Sequence, residues 1–214
     1  MENNRIFSKV FMWMFIGLLV TFLTGYIVSV NDTMIYNIFS KGTYFLLVIL
    51  ELVLVIVLSA RIHKMQTTTA RILFILYSFV TGLTFGSIFV VYNITSIMLV
   101  FIITSVLFGI FALIGNFTKL DLTKIGTILL MLLLGVVICT IVNMFLNNSM
   151  FDLVVSCISI VIFLGFVAYD IQKIKKLSLE IEDENKLAII GALELYLDFI
   201  NIFLDLLRIF GDRD

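Results

Sequence analysis

Proline is absent from this chain, and charge is scarce: charged residues make up 14% of the 214 residues, whereas hydrophobic residues make up 62%. A soluble domain has about 25% charged residues and about half apolar ones. So few polar side chains could not cover so much apolar surface. The composition therefore excludes a soluble globular protein and indicates an integral membrane protein.

Cysteine and catalytic motifs are also rare. Cys139 and Cys157 lie in separate apolar runs, so the sequence has neither a disulfide framework nor a zinc-binding spacing. The 14 basic and 15 acidic residues nearly balance, which argues against a nucleic-acid-binding face. His-Glu-x-x-His, Gly-x-Ser-x-Gly and a glycine-rich phosphate loop are missing. We therefore expect neither an enzyme nor a cofactor nor a nucleic-acid partner, and we expect a lipid bilayer around the chain.

Seven apolar runs are long enough to cross a bilayer, which takes about 20 helical residues. They are continuous rather than alternating, which excludes a porin-like barrel. The first run is too long for a signal peptide and is read as a retained helix. The prediction is an all-α membrane protein with a single domain over residues 1–214. The runs cover residues 7–30, 42–60, 72–92, 95–115, 125–146, 150–172 and 187–207.

Lysine and arginine lie mostly on one side of these spans. The N-terminus and the loops after the second, fourth and sixth spans hold 11 of the 14 basic residues. The opposite loops hold only Lys41, and Arg208 and Arg213 follow the last span. Because basic loops face the cytoplasm, we predict a multi-pass inner (plasma) membrane protein with a cytoplasmic N-terminus and an external C-terminus.

Four acidic residues lie well inside spans, where a carboxylate costs roughly 2.5–3.5 kcal/mol. Glu51 lies in the second span, and Glu194, Asp198 and Asp205 share one face of the seventh. We expect so polar a helix to be surrounded by the other six. Asp205 is expected to pair with Arg208 three residues later. Asp198 has no basic residue three or four positions away and Glu51 has no local cation, which indicates a functional or buried-network role.

The roles of Glu194 and Asp170 stay open, and six glycines mark expected close contacts between helices. For Glu194, solvation by a cytoplasmic vestibule and a functional role are both open. For Asp170, a rim position paired with Lys173 and a functional role are both open. Small residues let helices approach closely, and we expect this at Gly82, Gly86, Gly109, Gly115, Gly165 and Gly191.

Two stretches resemble signature segments of the Bax inhibitor-1 (transmembrane BAX inhibitor motif) family. The first runs from Glu194 to Gly211 and reads ELYLDFINIFLDLLRIFG. The second runs from Gly165 to Ile174 and reads GFVAYDIQKI. The small size, the seven spans and the predicted orientation are also similar to those of the bacterial single-domain members.

The resemblance implies a pH-sensitive calcium leak channel, gated by protonation of an aspartate pair. That pair falls on Asp170 and Asp198, which would also bind Ca²⁺, and the basic residue that latches it falls on Arg61. Glu51 matches an acid of bacterial relatives and is a pore-lining candidate, as is Glu194, which lies outside the family pattern. Two carboxylates held close cannot both ionise cheaply, so they would titrate as a unit, and their oxygens suit Ca²⁺.

Three other functions stay open. A membrane interaction protein that modulates protein quality control or a stress response would depend on the exposed connection 173–186 rather than on the aspartates. An intramembrane aspartyl hydrolase would use Asp170 and Asp198, but only Tyr169-Asp170 matches one of its motif contexts. Inverted repeats would favour a proton-coupled transporter, and none is evident in the sequence.

Overall fold

The computed structural model describes residues 2–39, 42–181 and 183–213, without the side chains of residues 2–4 and of His63. Lys41, which entered the charge count, lies outside the described residues. Within these ranges the chain forms α-helices and one short 3-10 turn, and no strand occurs in the described part. In lipid every backbone polar group must be satisfied within its segment, and helices meet that requirement for long apolar runs.

The described residues form eight successive α-helices, with the 3-10 turn at Ile62–Lys64 after the third. All but the second are long and apolar enough to cross a membrane, which confirms the seven predicted spans and the all-α membrane class. The helices are α1 (Glu2–Ser29), α2 (Asp32–Phe39), α3 (Thr43–Arg61), α4 (Thr67–Val91), α5 (Ile94–Phe117), α6 (Thr123–Leu146), α7 (Ser149–Leu177) and α8 (Glu184–Phe210).

Helix α2 was not predicted from the apolar runs. Asn31 precedes α2, and the Oδ1 atom of Asn31 accepts a hydrogen bond from the backbone N–H of Met34 at 3.1 Å. Asp32 occupies the first turn, where a negative charge is favourable. Because the helix has only 8 residues, it cannot span a bilayer, and it forms part of the connection between the first two spans.

The contacts divide the chain into two compact units. The first contains α1 to α4 and α8 as far as Tyr196. In this unit α1 and α4 pack with their backbones close together. A Cβ atom on Gly82 would lie 2.5 Å from Cβ of Thr24, and one on Gly86 would clash with Val28. The expected close approach at these two glycines is confirmed.

The second unit contains α5, α6, α7 and α8 from Leu197 onward. Gly115 lies directly against the backbone of Ala168, and a Cβ atom on Gly165 would lie 3.0 Å from the side chain of Leu129. The expectation for these two glycines is confirmed. It is wrong for Gly109, where an added Cβ would meet nothing within 4 Å because this face of α5 is open. For Gly191 it stays a prediction.

The spanning helices differ strongly in burial. In α8, 78% of the most apolar 18-residue stretch is buried, against 11% in α3 and in α6 and at most 50% elsewhere. This confirms that the most acidic helix is enclosed by protein rather than by lipid. The exposed apolar faces of α3 and α6 are the surfaces that a bilayer covers. That residues 1–214 form a single domain stays a prediction.

Capping residues lie at the end of α6 and at the starts of α7 and α8. Asn147 ends α6 in the left-handed conformation with φ 51°, and Asn148 caps α7 by accepting the backbone N–H of Phe151 at 3.1 Å. Asp183 caps α8 by accepting the backbone N–H groups of Asn185 and Lys186, both at 3.1 Å. Helix α7 continues past the predicted end of the sixth span at residue 172 as far as Leu177, so it includes the first part of the connection 173–186.

Candidate intramembrane carboxylate sites

Both members of the predicted aspartate pair are buried. Asp170 in α7 is 6% exposed and Asp198 in α8 is 5% exposed. Both belong to the second unit, and each takes part in at least one polar interaction. Burial of two carboxyl groups in apolar helices is costly unless neighbouring groups compensate it. Protein therefore shields both carboxyl groups, and their role as a pH sensor stays a prediction.

Arg61, the predicted latch, is the last residue of α3 and is exposed. A basic residue in the last turn of a helix interacts favourably with the helix dipole. The exposed guanidinium is available to an acidic partner. Its role as a latch for the aspartates stays a prediction.

A second charged group joins α7 to α8 near the C-terminal end of the chain. The Nη1 atom of Arg208 donates to Asp205 Oδ1 at 3.1 Å and to Ser156 Oγ at 2.9 Å. Its Nε atom lies 3.5 Å from Asp152 Oδ2. The predicted Asp205–Arg208 ion pair is confirmed. Asp152 and Ser156 were missed as partners because they lie more than 50 positions away in sequence.

Glu51 lies on α3, whose most apolar stretch is only 11% buried. Its side chain is half-buried, and the hydroxyl of Thr84 in α4 lies 3.0 Å from its Oε1 atom. Glu51 forms no salt bridge with the described residues. Glu194, the other pore-lining candidate, is half-buried in the first unit and makes polar interactions of its own. That either residue lines a pore stays a prediction.

Buried hydroxyl groups form a cluster in the first unit. The Tyr196 hydroxyl lies 2.6 Å from Oγ1 of Thr21, which donates to the carbonyl oxygen of Ser78 at 2.9 Å. Tyr196 therefore donates to Thr21. The rings of Phe74 and Tyr77 pack edge-on against the Tyr196 ring, with centroids at 5.7 and 5.9 Å. Sequence reasoning missed this cluster. The only available signal was the spacing of Ser78, Thr81 and Thr84 along α4.

The described residues hold no group of three or more histidine, cysteine, aspartate or glutamate side chains that could bind a metal ion. Ca²⁺ takes six to eight oxygen ligands. A calcium site on Asp170 and Asp198 would thus combine two carboxylates with backbone carbonyl or water oxygens. That Asp170 and Asp198 bind Ca²⁺ stays a prediction.

Comparison with known proteins decides the family. The family model described as inhibitor of apoptosis-promoting Bax1 matches residues 3–214. The chain belongs to the Bax inhibitor family. The resemblance of the Glu194–Gly211 and Gly165–Ile174 segments is thereby confirmed, and the chain is a multi-pass membrane protein of this family.

Bacterial relatives match over almost their full lengths. Inner membrane protein YbhL of Escherichia coli (strain K12) is 41% identical over 212 residues, which cover 96% of this chain and 91% of YbhL. An uncharacterized protein of Borreliella burgdorferi is 40% identical over 216 residues, covering 99% and 93%. An uncharacterized membrane protein of Streptococcus pyogenes serotype M1 is 33% identical over 224 residues, covering 99% and 94%. Two of these three names place the relative in a membrane.

Proposed function

We propose that this protein is a pH-sensitive cation leak channel that passes Ca²⁺, gated by protonation of Asp170 and Asp198. The observation that supports it is the burial of two carboxyl groups, 6% and 5% exposed, within apolar spans of one unit. Intramembrane carboxyl groups usually belong to ion pathways or proton relays. On this proposal the protein conducts and does not catalyse.

The proposed gate works through a single change of charge. With at least one aspartate ionised, the pair attracts both Ca²⁺ and the guanidinium of Arg61. Protonation removes the charge, and with it the metal ligand and the partner of the latch. Glu51 and Glu194 are proposed to line the ion path.

The proposed location is the bacterial inner (plasma) membrane, with the N-terminus in the cytoplasm. The distribution of basic residues supports this orientation, and the printed name of YbhL supports the membrane. In this orientation the Asp183 cap of α8 lies on the cytoplasmic side, and the Asp152–Arg208 group lies at the outer surface.

The test is Ca²⁺ entry into dye-loaded liposomes that contain the full-length protein. The proposal predicts entry above that of empty liposomes, with a rate that changes between about pH 5 and pH 8. Asp121→Asn, a substitution in the exposed α5–α6 loop, is the matched control and should behave as wild type. Entry no faster than in empty liposomes at any pH would overturn the channel and favour a membrane interaction protein in quality control or a stress response.

A further inference from the structure

Glu51 has an unusual setting for a membrane carboxyl group. It lies near the middle of α3, a helix whose apolar stretch is only 11% buried, so its surroundings are protein on one side and lipid on the other. The titratable groups that interact with it are the hydroxyls of Tyr44 on its own helix, Tyr77 on α4 and Tyr196 on α8. None of them is charged at neutral pH. Among the residues that the structure describes, no cation forms a salt bridge with Glu51.

Thr84 can accommodate both protonation states of Glu51. Its hydroxyl lies 3.0 Å from Glu51 Oε1 and 2.9 Å from the carbonyl oxygen of Thr81. When Glu51 is ionised, Thr84 donates to the carboxylate. When Glu51 is protonated, the carboxylic acid can donate to Thr84, whose own proton then goes to the carbonyl oxygen. Neither state leaves the Thr84 hydroxyl without an acceptor.

Thr81 connects Glu51 to the hydroxyl cluster around Tyr196. Its hydroxyl lies close to the carboxyl group of Glu51 and to the hydroxyls of Tyr77 and Tyr196. It has no partner with hydrogen-bond geometry among the described residues, although Thr81 is only 4% exposed. A helical threonine populates two χ1 positions, so a single rotation can bring this hydroxyl into a hydrogen bond. Since Tyr196 already donates to Thr21, its oxygen can accept from Thr81.

We propose that Glu51 is a proton-binding site in its own right, with Thr84 as the partner of both protonation states and Thr81 as the link to Tyr196. Glu51 and the hydroxyl cluster belong to the first unit, whereas Asp170 and Asp198 belong to the second. The site takes up and releases protons whether or not the protein conducts Ca²⁺. It therefore goes beyond the proposed channel.

The test uses a membrane-soluble carbodiimide, N,N′-dicyclohexylcarbodiimide, on the full-length protein in liposomes. A neutral carboxylic acid passes its proton to a carbodiimide nitrogen while its oxygen bonds to the central carbon, and the adduct rearranges to a stable N-acylurea. Mass spectrometry then measures the adduct on Glu51. We expect labelling of Glu51 at low pH that declines as the pH rises, and several-fold weaker labelling of Glu180, an exposed acid in the turn before α8.

Variants distinguish the proposed proton-binding site from a carboxyl group that merely reacts with the carbodiimide. Thr84→Val removes the hydroxyl that stabilises the ionised form, so labelling should persist to higher pH, because hydrogen bonds to a charged group are the stronger ones. Thr84→Ser keeps the hydroxyl and should match wild type. Asp198→Asn should leave the labelling unchanged. Absence of a Glu51 adduct at every pH, or identical pH profiles for Thr84→Val and wild type, would overturn the proposal, and neither result depends on Ca²⁺ flux.

Discussion

The hydroxyl of Tyr196 in α8 lies 2.6 Å from the hydroxyl of Thr21 in α1, and the two residues are 0% and 2% exposed. A buried hydroxyl without a partner costs free energy, so this hydrogen bond fixes the relative positions of the two helices. The bond joins residues at opposite ends of the sequence, and it holds the first half of α8 in the first unit.

Tyr196→Phe tests this bond. The ring should keep its edge-on packing against Phe74 and Tyr77, while Thr21 loses its donor. We expect a loss of about 1–2 kcal/mol in the free energy of unfolding. Thermal unfolding in detergent measures it, with Tyr26→Phe as control, because Tyr26 is 49% exposed. Equal unfolding temperatures for Tyr196→Phe and wild type would contradict the assigned role.

Gly82→Ala tests the close contact of α1 and α4. The added methyl group would lie 2.5 Å from Cβ of Thr24, so the helices must move apart. Overpacking of this kind costs about 1–3 kcal/mol. Gly109→Ala is the matched control, since an added Cβ there meets nothing within 4 Å and alanine favours helix by about 0.5–1 kcal/mol. The two variants should therefore shift the unfolding temperature in opposite directions, and shifts of the same sign would contradict the packing described.

Arg208→Gln tests the charged group that joins α7 to α8. The substitution removes the cation from Asp205, which is 7% exposed. Hydrogen bonds to charged groups are worth about 1.5–3 kcal/mol, so we expect a loss of that order. Asp205→Asn in the same chain should recover part of the loss, because the buried carboxylate no longer needs a cation. Strictly additive losses in the double variant would show that the two side chains do not interact.

Asp183 predicts a pH effect at the start of α8. A hydrogen bond from the Thr67 hydroxyl, with help from the backbone N–H of Lys186, lowers the pKa of the Asp183 carboxyl below its usual 3.8. A lowered folded-state pKa stabilises the fold above pH 3.8 and ceases to do so as the pH falls through the lowered value. Asp183→Ala should cost about 0.5–2 kcal/mol at neutral pH, as loss of a helix cap does.

The Asp183→Ala effect should shrink as the solution is acidified. Unfolding temperatures of wild type and variant in detergent, from neutral to strongly acidic solution, measure the difference between them. Glu180→Ala, in the same α7–α8 connection, is the control because Glu180 is exposed and accepts none of the capping hydrogen bonds. A difference that grows on acidification would have the wrong sign for a lowered pKa.

The sequence was sufficient to predict the spans and the local charge pair of Asp205 with Arg208. About 20 apolar residues in a row have few alternatives to a membrane helix. Asp205 and Arg208 are three positions apart, so helical periodicity alone brings them together. The Gly82 and Gly86 contact was likewise predictable, because small residues four apart lie on one helix face.

Other features depend on residues that are distant in sequence. The far end of α7 is polar, yet it stays helical because its side chains find partners in the α5–α6 region. Gln172 donates to the carbonyl oxygen of Leu120 at 2.8 Å, and Lys175 donates to that of Asn116 at 3.0 Å. The pairing of Tyr196 with Thr21 has no local signal at all, since 175 positions separate them.

The most direct test of the proposed channel is the pH profile of Ca²⁺ entry into liposomes for wild type, Asp170→Asn, Asp198→Asn and the double variant. If the two aspartates titrate as a unit, each single substitution should flatten the profile and the double substitution should add nothing further. A profile that keeps its wild-type shape in Asp198→Asn would contradict the central claim that these carboxyl groups are the sensor.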